Sequence, residues 1–371
     1  MDRLPAEVLE LLIALESEAY RGSDNRLLPG ALAPALVCRR WVEPSLKALH
    51  WTIAVESTRR DIGAARDRFE ALGAHLAARP DRAAQVETLV MMCNTPEDAG
   101  SRVRRDFSGL LTVVGLRCSR LRSLFIRLSE QDGFEPSAVC LAAVSHLKLD
   151  ELSIQVTSKS RTGGDRGAFD MATAICGGQS ADTLVRISLY GRGALTGGTV
   201  TFGRPLPRLV SLKLDGVDMD SRAVVVAPRL RCVYSAWDVV SRLPNRARLT
   251  HLDLQLYTSG APQAATLHGF ESLRVLSVRR DPPSPFFWTT IPPSVTTLIE
   301  STKTVDAADL VRTLASAAHL VGLRCVGHGR FRSAGVHEAL GVACALRGVR
   351  LVDMARGEDR AMRFYERGRS A

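Results

Sequence analysis

One rhythm runs through most of this chain: an apolar residue, two others, a second apolar residue, one other, and a third apolar residue. It recurs as LRSLFI, LKLDELSI, LVRISL, LVSLKL, LRCVYS, LTHLDL, LRVLSV, VTTLIE, LVGLRC and LRGVRL. The segments open at Leu121, Leu149, Leu184, Leu209, Leu230, Leu249, Leu273, Val295, Leu320 and Leu346, 19 to 35 residues apart. VETLVM at 86–91 begins the series. Alternation inside each segment predicts a strand whose first, fourth and sixth residues point inward, while the third, fifth and seventh line the opposite face. A spacing of this size holds one strand and a return, too little for a private core, so the segments must stack on each other. The expected fold is α/β, a curved solenoid with a parallel sheet on its concave face.

The first 85 residues follow another rhythm. After Pro5, suited to a first helical turn, Val8, Leu9, Leu12, Ile13 and Leu15 form one apolar helix face. The polar stretch ESEAYRGSDN interrupts it. Leu36, Val37, Cys38, Trp41 and Val42 then mark a second helix, and SLKALHW a third short patch. Three short helices cannot bury so many large side chains alone, so part of this surface is expected to meet a partner. Farther on, Ile62, Ala65, Phe69, Leu72 and Leu76 step by three and four residues, as one amphipathic helix ended by Pro80. The expected organisation is a helical module over 1–55, a connecting helix over 56–85 and the stacked segments over 86–371.

The opening LPAEVLELL, the later ALVCRRW and the closing ALHWTI resemble an F-box, with a longer first loop than that family usually has. The resemblance implies a three-helix module that docks on a Skp-type adaptor of a cullin complex. Adaptor contact or local core falls to Leu4, Pro5, Val8, Leu9, Ile13, Leu36, Val37, Cys38 and Trp41. The stacked segments resemble the leucine-rich-repeat half of fungal-type F-box proteins, although the Asn or Cys that usually closes such a repeat is largely missing. Together these imply a substrate-recognition subunit of a ubiquitin ligase, not an enzyme, needing no cofactor and working in the cytoplasm, the nucleus or both.

Charge adds a hint about the client. The net charge is +10, and all of the excess lies downstream: residues 86–371 hold 37 basic against 27 acidic side chains, while 1–85 are balanced. On the face opposite the buried leucines the register places Phe125, Arg127, Arg186, Tyr190, Lys213, Tyr234, Arg279 and Arg324, with Arg350 beyond. Such a surface suits an acidic or phosphorylated segment of a client protein, gripped by Arg and contacted by the aromatic rings. Two other readings compete. One is a leucine-rich-repeat scaffold outside any ligase. The other is a basic solenoid binding nucleic acid, disfavoured by an aromatic fraction of 5% and the lack of a recognised nucleic-acid motif.

The remaining chemistry is sparse. Eight cysteines are scattered without a CxxC pair and sit mostly among apolar neighbours, which predicts reduced, buried thiols. No apolar run reaches the roughly 18 residues of a membrane span, so no membrane association is expected. GRGALTGG at 191–198 lacks the spacing of a dinucleotide loop, His337-Glu338 lacks the second histidine of a zinc helix, and no GxSxG elbow occurs. Residues 95–106, 158–167 and 281–294 read as long loops, the last holding Phe286, Phe287 and Trp288 either as a partner anchor or as a plug against a neighbouring segment.

Overall fold

The structure, a computed structural model, describes residues 52–57, 62–94, 100–129, 135–157, 166–192, 199–220, 224–255, 267–279, 286–300, 308–316, 318–328 and 334–353. The nine expected adaptor residues, Leu4 to Trp41, lie outside these. The described chain is α/β with parallel strands, and it falls into two compact units. Among the described residues, the first takes those up to Leu209 together with those of Asp215–Val226, and the second takes Val210–Leu214 and those from Ala227 onward.

In the first unit, strands β1 (Thr52–Ser57), β2 (Thr88–Asn94), β3 (Ser123–Ser129), β4 (Glu151–Thr157) and β5 (Arg186–Arg192) pair in sequence order, all parallel. Helices α1 (Ile62–Ala78), α3 (Gly100–Arg117), α4 (Ala138–Ser145) and α5 (Arg166–Gly177) fill the crossovers, and a short α2 (Pro80–Ala83) follows α1. The strand β1 straddles the expected boundary at residues 55 and 56. It pairs with β2 from Thr52↔Thr88 onward, so the amphipathic helix forms the first crossover of the sheet. Pro80 occupies the first turn of α2 as well as closing α1, because its missing N–H is no loss there.

Each long helix packs on the next, α1 on α3, α3 on α4 and α4 on α5, which makes one helical layer. The apolar stripe of α3, Phe107, Leu110, Leu111 and Val114, is buried, and Phe69 of α1 meets Phe107 edge to face at 5.7 Å. Gly115 lets α3 and α4 touch: a Cβ there would lie 2.5 Å from the Ala143 carbonyl carbon. Ser137 caps α4 by accepting a hydrogen bond from the Cys140 N–H at 3.1 Å. The stretch 95–106, expected as a loop, turns helical at Gly100, since its polar residues form the first turns of an amphipathic helix.

The second unit holds β6 (Ser211–Asp215), β7 (Cys232–Ala236), β8 (His251–Gln255), β9 (Val275–Arg279), β10 (Thr297–Glu300), β11 (Cys325–His328) and β12 (Arg350–Asp353). They too are parallel and in chain order. Its crossovers are shorter, with α6 (Trp237–Ser241), α7 (Phe286–Thr289), α8 (Ala308–Ser316) and α9 (Ala334–Leu346). Phe287 and Trp288 of α7 are buried and stack edge to face at 5.6 Å, so these two rings form an internal plug and not a partner anchor, while the Phe286 side chain lies outside the described residues. Neither ladder closes into a barrel, and among the described residues no helix is long and apolar enough to cross a membrane.

Two backbone devices repeat. A tight turn delivers the apolar residue before eight of the strands: the N–H of Val86, Leu121, Leu209, Leu230, Leu249, Leu273, Val295 and Leu323 donates to the carbonyl three residues earlier. One or two residues on, a single carbonyl accepts two N–H groups from the next segment. Arg122 O takes Asp150 and Glu151, Arg231 O takes Thr250 and His251, and Arg274 O takes Thr296 and Thr297, all at 2.7–3.0 Å. The rows behind these clamps are the expected aliphatic ones, with Leu124, Leu152 and Ile187 in the first unit and Leu212, Leu252, Leu276 and Leu298 in the second almost fully buried.

The frames of the last two segments differ from the sequence reading. Strand β11 opens its pattern at Leu323, because Leu320 is the buried residue at the start of the tight turn, as Leu206 and Phe270 are earlier. Leu346 is 83% exposed at the end of α9, so the final frame opens at Gly348 and places Arg350 first in β12.

Candidate functional site

The face opposite the buried rows carries the expected client residues, and the register shows which of them meet. In the first unit Phe125 stands between Val90 and Ser153, and Arg127 between Met92 and Gln155. Tyr190 continues the row from Gln155. Phe125 and Tyr190 are half-buried, and Arg127 is exposed with no ion pair among the described residues. Val90 and Met92 are buried on this same face, which makes its β2 end more apolar than the sequence reading placed it. Arg186 is paired: its Nη1 donates to Glu151 Oε1 across the β4–β5 register.

The second unit gathers Lys213, Tyr234 and Arg279 into one cluster. Lys213 Nζ lies 4.8 Å and Arg279 Cζ 4.7 Å from the centre of the Tyr234 ring, both within cation–π range. Gln255 Nε2 donates to the Tyr234 hydroxyl. Arg279 does not stand open for a client acid, because its Nε and Nη2 donate to both oxygens of Asp253 at 3.2–3.3 Å. The cluster is dense: Tyr234, Asp253 and Ser277 are each buried, in the middle register of three neighbouring strands. Burial raises the Asp253 carboxyl above its ordinary value, and the charge and hydrogen bonds of Arg279, a bond from Ser277 and the charge of Lys213 pull against that rise.

Arg324 is not in this row. It immediately precedes β11, where its N–H donates to the Thr296 carbonyl, and its side chain is exposed at the strand-entry edge. The sequence puts Glu151 and Asp253 on this face among more numerous basic residues, and the structure pairs them with Arg186 and Arg279. The signal was present, since both acids occupy outward positions of segments adjoining those of Arg186 and Arg279. No known protein family matches the chain, and no curated protein matches it.

Proposed function

We propose that this chain is the client-recognition subunit of a Skp-cullin-F-box ubiquitin ligase, holding the adaptor through residues 1–55 and the client through leucine-rich repeats downstream. The observation that carries the reading is the division of labour within each strand. One set of alternate residues builds an aliphatic core, and the other set presents a mixed aromatic and charged face over successive parallel strands. A repeat array that binds protein needs such a face. The F-box resemblance of LPAEVLELL and ALVCRRW supplies the rest. In this role the chain does no bond chemistry itself; it raises the effective concentration of a client beside the charged ubiquitin carrier. With Arg186 and Arg279 committed to carboxylates, the client face offers Phe125, Tyr190 and Arg127 for an acidic segment with an apolar anchor.

Affinity capture of a Skp-type adaptor by the full chain tests the proposal. The double variant Pro5→Ala, Trp41→Ala should lose capture while its circular dichroism stays that of the wild type. Undiminished capture by the folded double variant removes the F-box assignment and leaves a protein-interaction scaffold.

A further inference from the structure

Along the strand-entry edge of the second unit, the residue preceding each strand from β7 to β11 alternates: Arg231, Thr250, Arg274, Thr296, Arg324. Their main chains are fixed by the paired N–H donations described above. Neighbouring strands lie about 4.8 Å apart, so Arg231 and Arg274, two strands apart, are rooted roughly 10 Å from each other with Thr250 between them. Two arginine side chains at that separation reach a common anion easily.

A cavity of about 520 Å³, open to solvent, lies at this edge. Arg231, Arg274, His251 and Thr250 line it together with Ser272, Ser294 and Glu271. The Thr250 hydroxyl is shared between the Arg231 carbonyl at 3.3 Å and His251 Nδ1 at 2.9 Å, and Arg231 Nη1 donates to the Arg248 carbonyl at 2.9 Å. These contacts steady two of the cationic or donor groups in the wall. Arg274 differs from the paired Arg186, Arg204, Arg242 and Arg279, for it makes no ion pair among the described residues.

An oxyanion suits this wall, offering charge to Arg274 and Arg231 and a lone pair to the exposed Ser272 hydroxyl. A carboxylate has two oxygens for this many donors, whereas a phosphate monoester brings three strong acceptor oxygens and up to two charges. We infer that this cavity is a site for a phosphate monoester, carried on a phosphorylated protein side chain or on a small molecule. The inference does not depend on the ligase reading, since none of these residues belongs to the adaptor module and only His251 stands on the outward face of the strands, apart from the client residues named above.

The test is fluorescence anisotropy on the full chain with a labelled Ala-Gly-phosphoserine-Gly-Ala peptide and its unphosphorylated twin. The phosphorylated peptide should bind at least about tenfold more tightly, and Arg274→Ala should erase most of that difference, with Arg274→Lys recovering part of it. Ser272→Ala, in the cavity wall, should weaken phosphopeptide binding without lowering the melting temperature, and Arg117→Ala, at the exposed end of α3 in the first unit, should leave it unchanged. Competition by O-phosphoserine separates the sources. Displacement at concentrations matching the unlabelled phosphopeptide points to a small ligand, and a requirement for the peptide points to a protein-borne phosphate; both support the site. Equal binding of the two peptides overturns it, as does a phosphopeptide affinity untouched by Arg274→Ala or lowered equally by Arg117→Ala.

Discussion

Asp253 and Arg279, on neighbouring strands of the second unit, are joined by three hydrogen bonds of 3.2–3.3 Å, with 12% and 25% of their side chains exposed. The pair is asymmetric, because the carboxylate is the more deeply buried partner. Removing the cation strands a charge in the sheet, so Arg279→Ala is expected to destabilise by about 2–3 kcal/mol, somewhat less than a fully buried pair. Asp253→Asn leaves the more exposed member unpaired and should be the milder change. Urea denaturation of both variants at neutral pH checks the order.

The same carboxyl gives a pH signature. Its folded value is raised above the ordinary 3.8 by burial, and an acid raised on folding stabilises most when protonated in both states. Its contribution falls as pH climbs from the unfolded value through the folded one. The stability of the wild type minus that of Asp253→Asn should therefore decline across that window and level off above it. A difference that rises with pH would mean that Arg279 dominates over burial.

Gly115 and Gly109 lie on the same helix, α3, in opposite circumstances. A Cβ on Gly115 collides with the Ala143 backbone, while one on Gly109 meets nothing within 4 Å. Gly115→Ala should cost about 1–3 kcal/mol through overpacking between helices, and Gly109→Ala should stabilise by about 0.5–1 kcal/mol through helix propensity. Thermal melts of the two variants should move in opposite directions.

Ser180 is fully buried and staples two segments together. Its hydroxyl donates to the Leu147 carbonyl at 2.7 Å and accepts from the Leu149 N–H at 3.0 Å. Ser180→Ala leaves both main-chain groups without that partner and should cost about 1–3 kcal/mol. Hydrogen exchange of the Leu149 amide, measured in the variant, should accelerate more than the global stability loss explains.

Burial pushes the Cys118 and Cys176 thiols up to about 12 from the ordinary 9.0. Because the thiolate is the reactive form, iodoacetamide at pH 8 should leave both unmodified in the folded protein and label them in urea. Thiols raised on folding also cease to favour the folded state as pH rises above 9.0, so each adds a step of alkaline destabilisation that Cys→Ala removes.

The sequence showed the strands most clearly where the turn before them starts on a residue that cannot be mistaken for the opening leucine. Cys118 and Ala227 occupy that place before Leu121 and Leu230, and those frames match the register. Leu320 occupies it before Leu323, and two leucines three residues apart made either a valid start. Leu346 was misleading for another reason: helix α9 ends on an exposed leucine that mimics the strand pattern. The outward row was legible as a row, because side-chain direction follows from period two alone. Its electrostatics were not, since the partners Glu151 and Arg186 are 35 residues apart and Asp253 and Arg279 are 26 apart. Only the strand register says that they touch. The strand-entry cavity was invisible for the same reason, as its wall draws on residues from 231 to 294.

The paired N–H donation at the start of β3 to β5 and β7 to β11 is made of main-chain atoms, which every residue except proline brings to its place. The side chains at those positions add only a second tie, as the Thr250 and Thr296 hydroxyls do by donating to the Arg231 and Arg274 carbonyls, so exchanging them leaves the main-chain clamp in place. Such a row is a margin on which mutation can write and rewrite chemistry at little risk to the fold, and duplication of a whole segment would carry its own clamp along. New recognition surfaces in this protein have room to evolve along that edge, ahead of the packed aliphatic rows.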